Sequence, residues 1–292
     1  MEPVVFRYRG RDLTDEDISR VKATVHRHYA HGRTHISRVL CDAWHWVQPN
    51  GQYKEYAARD LLLRLEEKGF IVLPPRIRPN NNRKKHCFAQ IPFFHKEARG
   101  GSAGEYQELC VRFVSPSYRY LWDYLIHHYH YLGLPTLVGE HIRHLVFLDG
   151  QVVAALSWAS PAWKLKDRDQ FIGWDEPTKR RNLHLIANNT RFLILPWITV
   201  KYLASKALSL SLRRLRDDWE KIYAHPVYLA ETFVDISRFE GTCYRAANWR
   251  CVGTTRGSAK KGNAYRYHGQ PKAIYLYPLH PQFRRFLLDD QG

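Results

Sequence analysis

The stretch PVYLAETFVDISRFEGTCYRAANWRCVG, from Pro226 to Gly253, constrains this chain most. It opens on an apolar, β-branched run, Val227 to Val234, that reads as a buried strand. A short helical turn through Thr242, Tyr244, Arg245 and Ala246 follows, closed by Asn248, a residue that tolerates the left-handed conformation. Arg250 to Thr254 then returns as a second strand. Upstream stand Arg191 to Trp197, a strand broken by Pro196, and a long helix, Val200 to Tyr223. Strands and helices alternating in this order predict an α/β (α+β) domain.

The rest of residues 106–292 extends that pattern. Leu109 to Val114 reads as a strand, and Ser117 to about Tyr131 as a helix. Arg143 to Leu148, Asp149-Gly150 and Gln151 to Trp158 form a hairpin, because Asp-Gly between apolar runs favours a tight turn. The polar stretch LKDRDQFIGWDEPTKRRN precedes a helix expected to end near Asn188-Asn189, and Ala273 to Tyr277 reads as a last strand.

Residues 1–75 predict a small helical DNA-binding domain. Thr14 can cap a helix whose first turn holds Asp15, Glu16 and Asp17, where the dipole favours acids. A second helix carries Ile36, Val39, Leu40, Ala43 and Trp44 on one face, and a third, Gln52 to Lys68, buries Ala57, Leu61 and Leu65. Phe70 to Leu73 reads as a strand, which completes the outline of a winged helix-turn-helix. Gln52, Tyr53, Lys54, Arg59 and Arg64 then face solvent, where Gln and Arg can read base edges and Lys can neutralise phosphate. Residues 76–105, with NNN, RKK and GGSAG runs, read as a basic linker in which Lys84 and Lys85 can track a backbone.

A formal charge of +17 points to a polyanionic partner, with DNA first. Nine Trp and eighteen Tyr suit stacking on bases as well as core packing. Five cysteines, at 41, 87, 110, 243 and 251, form no CxxC pair and no Cys/His zinc spacing, which fits free thiols in a reducing cytoplasm. MEPVVFRYRGRD has no apolar core of signal-peptide length, and no apolar run reaches the roughly 20 residues of a membrane span. A soluble, cytoplasmic protein with no membrane partner is expected.

The order hairpin, broken strand, long helix, strand, short helix, strand resembles the acetyltransferase (GNAT-like) fold, a mixed sheet, over roughly residues 106–255. Tyr244 and Trp249 stand where that fold often carries an aromatic pair around its last turn. The resemblance implies an acyl-CoA site at the start of the long helix, but LPWITVKYLAS, from Leu195 to Ser205, has no glycine to cradle a pyrophosphate. Acyl-CoA is therefore disfavoured. The phrases RDQFIGW (168–174), NNTRFLILPW (188–197), YLASKAL (202–208), DWEKIY (218–223), ETFVD (231–235) and RFEGTCYRAANW (238–249) are similar to the DruA family. That family occurs in Druantia anti-phage systems and with bacterial transposable elements. The resemblance implies a DNA-directed role in a bacterial cytoplasm, alongside other defence or mobile-element proteins, with a dimer compatible.

Nuclease or strand-transfer chemistry is the activity this combination suggests. Glu231 and Asp235, with Asp169, are the candidate acids, and the first two are candidate ligands for Mg²⁺ or Mn²⁺. Glu231 and Asp235 share a strand face yet lie about 13 Å apart, so each needs a partner from elsewhere; the alternative is structural, with Glu231 the buried partner of Arg191 or Arg245 and Asp235 a cap on the following turn. Tyr244 is the metal-free alternative, a nucleophile with Arg238 or Arg245 holding the phosphate. Lys164, Lys166, Arg168, Lys179, Arg180 and Arg181, interleaved with Trp163 and Trp174, suit a nucleic-acid groove, and Lys260 and Lys261 extend the basic set. His127, His128 and His130 read as incidental histidines of an aromatic helix, or as a metal or general-base group. Two other readings stand beside nuclease action: a non-catalytic DNA-binding component, and an acyltransferase.

Overall fold

The computed structural model describes residues 4–8, 11–48, 51–76, 88, 90–137, 139–255, 257–261, 264–267 and 269–289, with side chains at 258–261 and 264–267 left aside. Two compact units divide the chain, Met1–Cys87 and Phe88–Gly292.

The first unit begins with a hairpin, β1 (Phe6–Tyr8) and β2 (Arg11–Leu13), paired Phe6 to Leu13. Helix α1 (Asp15–Arg27) starts in a capping box: the Thr14 hydroxyl accepts from the Asp17 N–H, and the Asp17 carboxylate accepts from the Thr14 N–H. α2 (Gly32–Ala43) and α3 (Glu55–Glu67) follow. Leu13, Ile18, Val21, Ile36, Leu61 and Leu65 close the core, each at most 3% exposed. The expected wing is not there among the described residues. Phe70 to Leu73 makes no strand; the Leu73 N–H donates to Glu66 and Arg33 donates to the Pro74 carbonyl, which ties the segment to the helices instead. The hairpin of this unit precedes α1, and a winged helix-turn-helix is not confirmed among the described residues. α3 also starts three residues later than expected, which leaves Gln52, Tyr53 and Lys54 in the turn before it.

The second unit is mixed α/β. In order it comprises β3 (Leu109–Phe113), α4 (Pro116–Tyr129), β4 (His141–Leu148), β5 (Gln151–Ala159), α5 (Lys166–Ile172), α6 (Glu176–Asn182), β6 (Ile186–Ile194) and α7 (Leu203–Tyr223). Then come β7 (Leu229–Asp235), α8 (Thr242–Ala246), β8 (Arg250–Thr254), the hairpin β9 (Ser258–Lys261) and β10 (Ala264–Tyr267), β11 (Lys272–Pro278) and α9 (Phe283–Leu288). Seven strands form one sheet in the order β3-β4-β5-β6-β7-β11-β8. Its pairs are antiparallel except β6 with β7, which α7 connects by a crossover. The β4–β5 turn has positive φ at both Asp149 and Gly150, as the Asp-Gly signal requires.

Residues 88–105 belong to this unit. Phe88 and Phe94 pack on its core, and a parallel ladder ties Arg99 to Ile198 and Ser102 to Lys201. The stretch expected as a linker thus continues into the second unit from Phe88.

Two features open the sheet at its centre. β6 and β7 pair only from Ile186–Leu229 to Asn189–Thr232. Opposite β5, Thr190 is an extra residue, since Trp158 faces Asn189 and Ser157 faces Arg191. Such a bulge bends its strand and increases its twist, so β6 turns away from β7 beyond Asn189.

Candidate functional site

Two constellations come from the sequence-expected residues, and they are separate. The first is a buried ion-pair network that joins α5 and α6 to β7. Arg168 and Glu231 are both fully buried. The Arg168 guanidinium donates to Glu231 Oε2 at 2.9 Å, to Asp169 Oδ1 at 2.8 and 3.0 Å and to the Ala162 carbonyl at 2.7 Å. Glu231 Oε1 accepts from the Ala162 N–H at 2.8 Å. Lys179, nearly buried, reaches Asp169 Oδ2 at 3.3 Å and Glu176 at 2.5 Å. Gly173, with φ 89, ends α5, and Asp175 caps α6, so the two short helices deliver Arg168 and Lys179 to one place. Burial raises the Glu231 carboxyl, and Arg168 and the Ala162 N–H act against it. Neither Arg191 nor Arg245 is the partner of Glu231.

This geometry corrects three expectations. Arg168 and Lys179 are not groove cations, because burial and their carboxylate partners occupy both. Trp174 is also buried, with Arg168 over its ring at 5.7 Å. Glu231 and Asp235 do not fit a divalent-metal centre: both Glu231 oxygens already accept hydrogen bonds, and Asp235 Oδ1 accepts from the Ser237 N–H and hydroxyl. Asp169 stands with Glu231, but across an arginine that a metal would displace.

The second constellation is the cleft left by the divergence of β6 and β7, about 680 Å³ in volume. Tyr131, Phe192 and Phe239 supply aromatic walls, and Arg191, Arg238 and Asp235 supply charge. Arg238 lies over the Tyr131 ring at 4.6 Å, and Tyr131 packs on Phe239 at 5.5 Å. Arg191 is fixed by donating to the Gly133 and Thr190 carbonyls. Asp235 holds the turn that follows its strand, and that turn presents Arg238 and Phe239.

Tyr244 forms the cleft floor. Its hydroxyl donates to Asn189 Oδ1 at 3.0 Å, while the Asn189 amide donates to the Ser157 and Arg191 carbonyls. Burial raises the Tyr244 hydroxyl pKa, so the phenolate needed for nucleophilic attack is disfavoured. Of the two arginines expected to hold a phosphate, Arg245 is engaged internally, donating to the Glu240 carbonyl and the Tyr275 hydroxyl. Replacing Tyr244 by Phe leaves Asn189 Oδ1 buried without a donor, and we expect a loss of about 1–3 kcal/mol in urea unfolding. A variant as stable as the parent would show that Asn189 finds another donor.

His130 lines the same cleft, with Nδ1 accepting from the Leu132 N–H. Burial, then Arg191, lower its pKa to about 4. The ring is therefore neutral at pH 7, and the cations of the cleft are arginines. Because the unfolded chain takes up this proton near pH 6.5 and the folded protein only near 4, stability falls as pH drops through that window. The expected loss, on the order of 1–2 kcal/mol after solvent screening of the half-buried ring, is read by urea unfolding at pH 7 and pH 4.5. His130→Gln should remove that share of the slope. His127 and His128 pack against Phe88, and His128 stacks on Tyr124 at 4.1 Å, so these two histidines of α4 do not converge with His130 beyond its end.

Other expected contacts scatter. Arg180 and Arg181 are exposed on α6, with Arg180 paired to Glu176. Lys164 and Lys166 are exposed on the rim of an open hollow of about 570 Å³ beside α5, which Gln170 and Trp174 also line. In the first unit Arg59 pairs with Glu55 and Arg64 with Asp60, while the Tyr53 hydroxyl donates to Asp42. Gln52 and Lys54 are exposed. Lys84 and Lys85 lie outside the described residues; Lys260 and Lys261 lie on β9, with their side chains outside that description.

The start of α7 bears on acyl-CoA. The N–H groups of Thr199 and Lys201, in the loop before α7, donate to the Arg99 and Gly101 carbonyls. Arg99 is itself anchored through Gln151. Sequence reasoning missed this docking because a Gly-Gly-Ser run reads as a linker whatever it docks on.

By its fold this unit is a seven-stranded mixed α/β domain, similar to solved N-acetyltransferases. Aminoglycoside acetyltransferase AAC(6')-Ib in complex with coenzyme A aligns at TM-score 0.41 and 14% identity, covering 60% of this chain and 96% of that one. An N-acetyltransferase from Staphylococcus aureus Mu50 (TM-score 0.36, 9% identity, 59% and 99% covered) and the ribosomal-protein-S18-alanine N-acetyltransferase from Escherichia coli (0.36, 12%, 59% and 94%) are also similar. The chain belongs to the DruA family, described as Druantia protein DruA, whose model matches residues 65–264. No curated protein matches the chain. Among the described residues, no helix is long and apolar enough to cross a membrane.

Proposed function

We propose that this protein is a DNA-binding component of an anti-phage defence system, holding nucleic acid at the cleft between β6 and β7 and working beside other proteins of that system. The observation that carries the reading is the cleft wall: Arg238 on Tyr131, with Phe239 and Arg191, in a chain of charge +17. Aromatic faces accept bases of any sequence and arginines accept backbone phosphate, a combination suited to single strands. Binding rather than strand cleavage is favoured because Glu231, Asp169 and Tyr244 are engaged in buried internal bonds. Acyl transfer is disfavoured by the occupied loop amides at α7.

Fluorescence anisotropy with single- and double-stranded oligonucleotides across a salt series tests the reading. Binding should weaken steeply with salt, since each Lys or Arg on a phosphate releases counterions. Phe239→Ala should cost about 1–3 kcal/mol, and Arg238→Ala should lower the salt slope by about one. Absence of binding to either form at low salt would sink the proposal, as would full affinity in both variants. Heat of binding with acetyl-CoA in calorimetry would favour the acyltransferase reading instead.

A further inference from the structure

In the first unit the helical corner between α1 and α2 gathers three imidazoles that no sequence expectation singled out. His28 ends α1, His31 lies in the single 3₁₀ turn Tyr29–His31, and His35 sits one helical turn further, on α2. Residues i and i+4 share a helix face, which puts His31 over His35. The 3₁₀ turn, closed by the His31 N–H donating to the His28 carbonyl, folds His28 back onto them. Ring centroids lie 4.9 to 5.9 Å apart for the three pairs. One nitrogen from each ring lies within 4.8 Å of the others.

We propose that His28, His31 and His35 bind a divalent transition-metal ion, zinc foremost, with a fourth position left to water. The spacing supports it. On a tetrahedral ion with bonds of about 2.0–2.1 Å, ligand nitrogens lie about 3.3–3.4 Å apart. His28 Nδ1 and His35 Nε2 are 3.3 Å apart, while His31 has to approach by a rotation of its exposed side chain. Three imidazoles select zinc, nickel, copper or cobalt over magnesium or calcium, which prefer oxygen. It is the one group of three or more His, Cys, Asp or Glu residues with ligand atoms this close among the described residues. An ion there joins the end of α1 to the start of α2, so it stabilises the corner of this unit. The site is independent of the cleft between β6 and β7 and stands whether or not that cleft binds DNA.

The test uses the full chain, stripped with EDTA and then titrated with ZnCl₂ or CoCl₂ at metal concentrations near that of the protein. The expected result is one ion per chain, a tetrahedral cobalt absorption spectrum displaced by zinc, and a raised melting temperature. Loss of outer-shell partners alone weakens metal sites 10- to 100-fold, so His31→Ala and His35→Ala should each weaken binding by about a hundredfold or more. Both side chains are exposed, and circular dichroism of the stripped variants checks that they fold. His128→Ala, on α4, should bind as the parent does. No zinc uptake by the parent at micromolar concentration would overturn the proposal, and so would unchanged uptake in a His31→Ala/His35→Ala double variant.

Discussion

Arg168→Ala is expected to destabilise the α/β unit by about 3–5 kcal/mol, the largest effect of any single truncation at the residues considered for chemistry. All three guanidinium nitrogens are engaged, with Glu231, Asp169 and the Ala162 carbonyl, and none of the side chain is exposed. Truncation leaves Glu231 buried with its only cation gone and vacates the volume of an arginine. Burial then raises the Glu231 carboxyl with only the Ala162 N–H against it, so it protonates rather than remain as an isolated charge. Arg168→Lys should recover little, because one ammonium cannot span Glu231, Asp169 and the carbonyl together. The double variant Arg168→Met/Glu231→Leu should be markedly more stable than Arg168→Ala, since replacing both members of a buried pair by apolar groups is often close to neutral. Urea unfolding of the four proteins decides it. If Arg168→Ala unfolded at the parent's midpoint, the network would not be structural, and Glu231 would again be a candidate for catalysis.

That network also explains what the sequence concealed. The stretch LKDRDQFIGWDEPTKRRN looks like a solvated loop because pattern reading takes charged residues as exposed. It forms α5 and α6, and their buried positions are Arg168 and Ile172 on the first and Lys179 and Asn182 on the second, three of the four polar. Buried charge with internal partners leaves no hydrophobic period to detect. Asn188-Asn189, expected to end a helix, instead lies within β6. Asn is a poor strand residue, yet Asn189 is only 5% exposed and is satisfied through Ser157, Arg191 and Tyr244. The strand expected at Phe70 to Leu73 is absent for the same kind of cause. Phe70 to Leu73 has strand-like composition, but the Leu73 N–H donating to Glu66 and Arg33 donating to the adjoining Pro74 carbonyl hold it along the helices, and composition cannot report a tertiary tie.

What was legible depended on local chemistry. Asp149-Gly150 fixed its hairpin, Thr14 and Asp17 their capping box, and Asn248 its left-handed turn at φ 63. The cleft was half visible: Tyr244, Arg238 and Asp235 were named, but as participants in cleavage. The divergence that brings Arg191, Tyr131 and Phe239 to them follows from the bulge at Thr190, which depends on pairing with β5. Register between strands distant in sequence is a property no single segment encodes.

The second large effect is at the other side of that cleft. Gly241 has φ +72 and begins α8, its carbonyl accepting from the Tyr244 and Arg245 N–H groups. A methyl group there would stand 2.5 Å from the Tyr275 hydroxyl oxygen, 2.8 Å from Cζ and 3.0 Å from Cε2. The Tyr275 ring has nowhere to retreat: it is 3% exposed, stacked on Tyr244 at 5.7 Å and hydrogen-bonded by Arg245. Gly241→Ala therefore combines a left-handed alanine, about 1–2 kcal/mol, with overpacking of about 1–3 kcal/mol, for a loss of about 2–5 kcal/mol. Adding Tyr275→Phe removes the nearest atom and should recover part of the overpacking share, while the backbone share persists. Loss within about 0.5 kcal/mol of the parent would mean that α8 shifts freely, since that is the range of substitutions touching nothing important. The consequence for binding separates the two cleft walls. Gly241, Thr242 and Tyr244 line the same cleft as Arg238 and Phe239, so a displaced α8 alters its shape without removing a cation. In the salt series, Gly241→Ala should weaken affinity with the parent's slope, whereas Arg238→Ala lowers the slope itself.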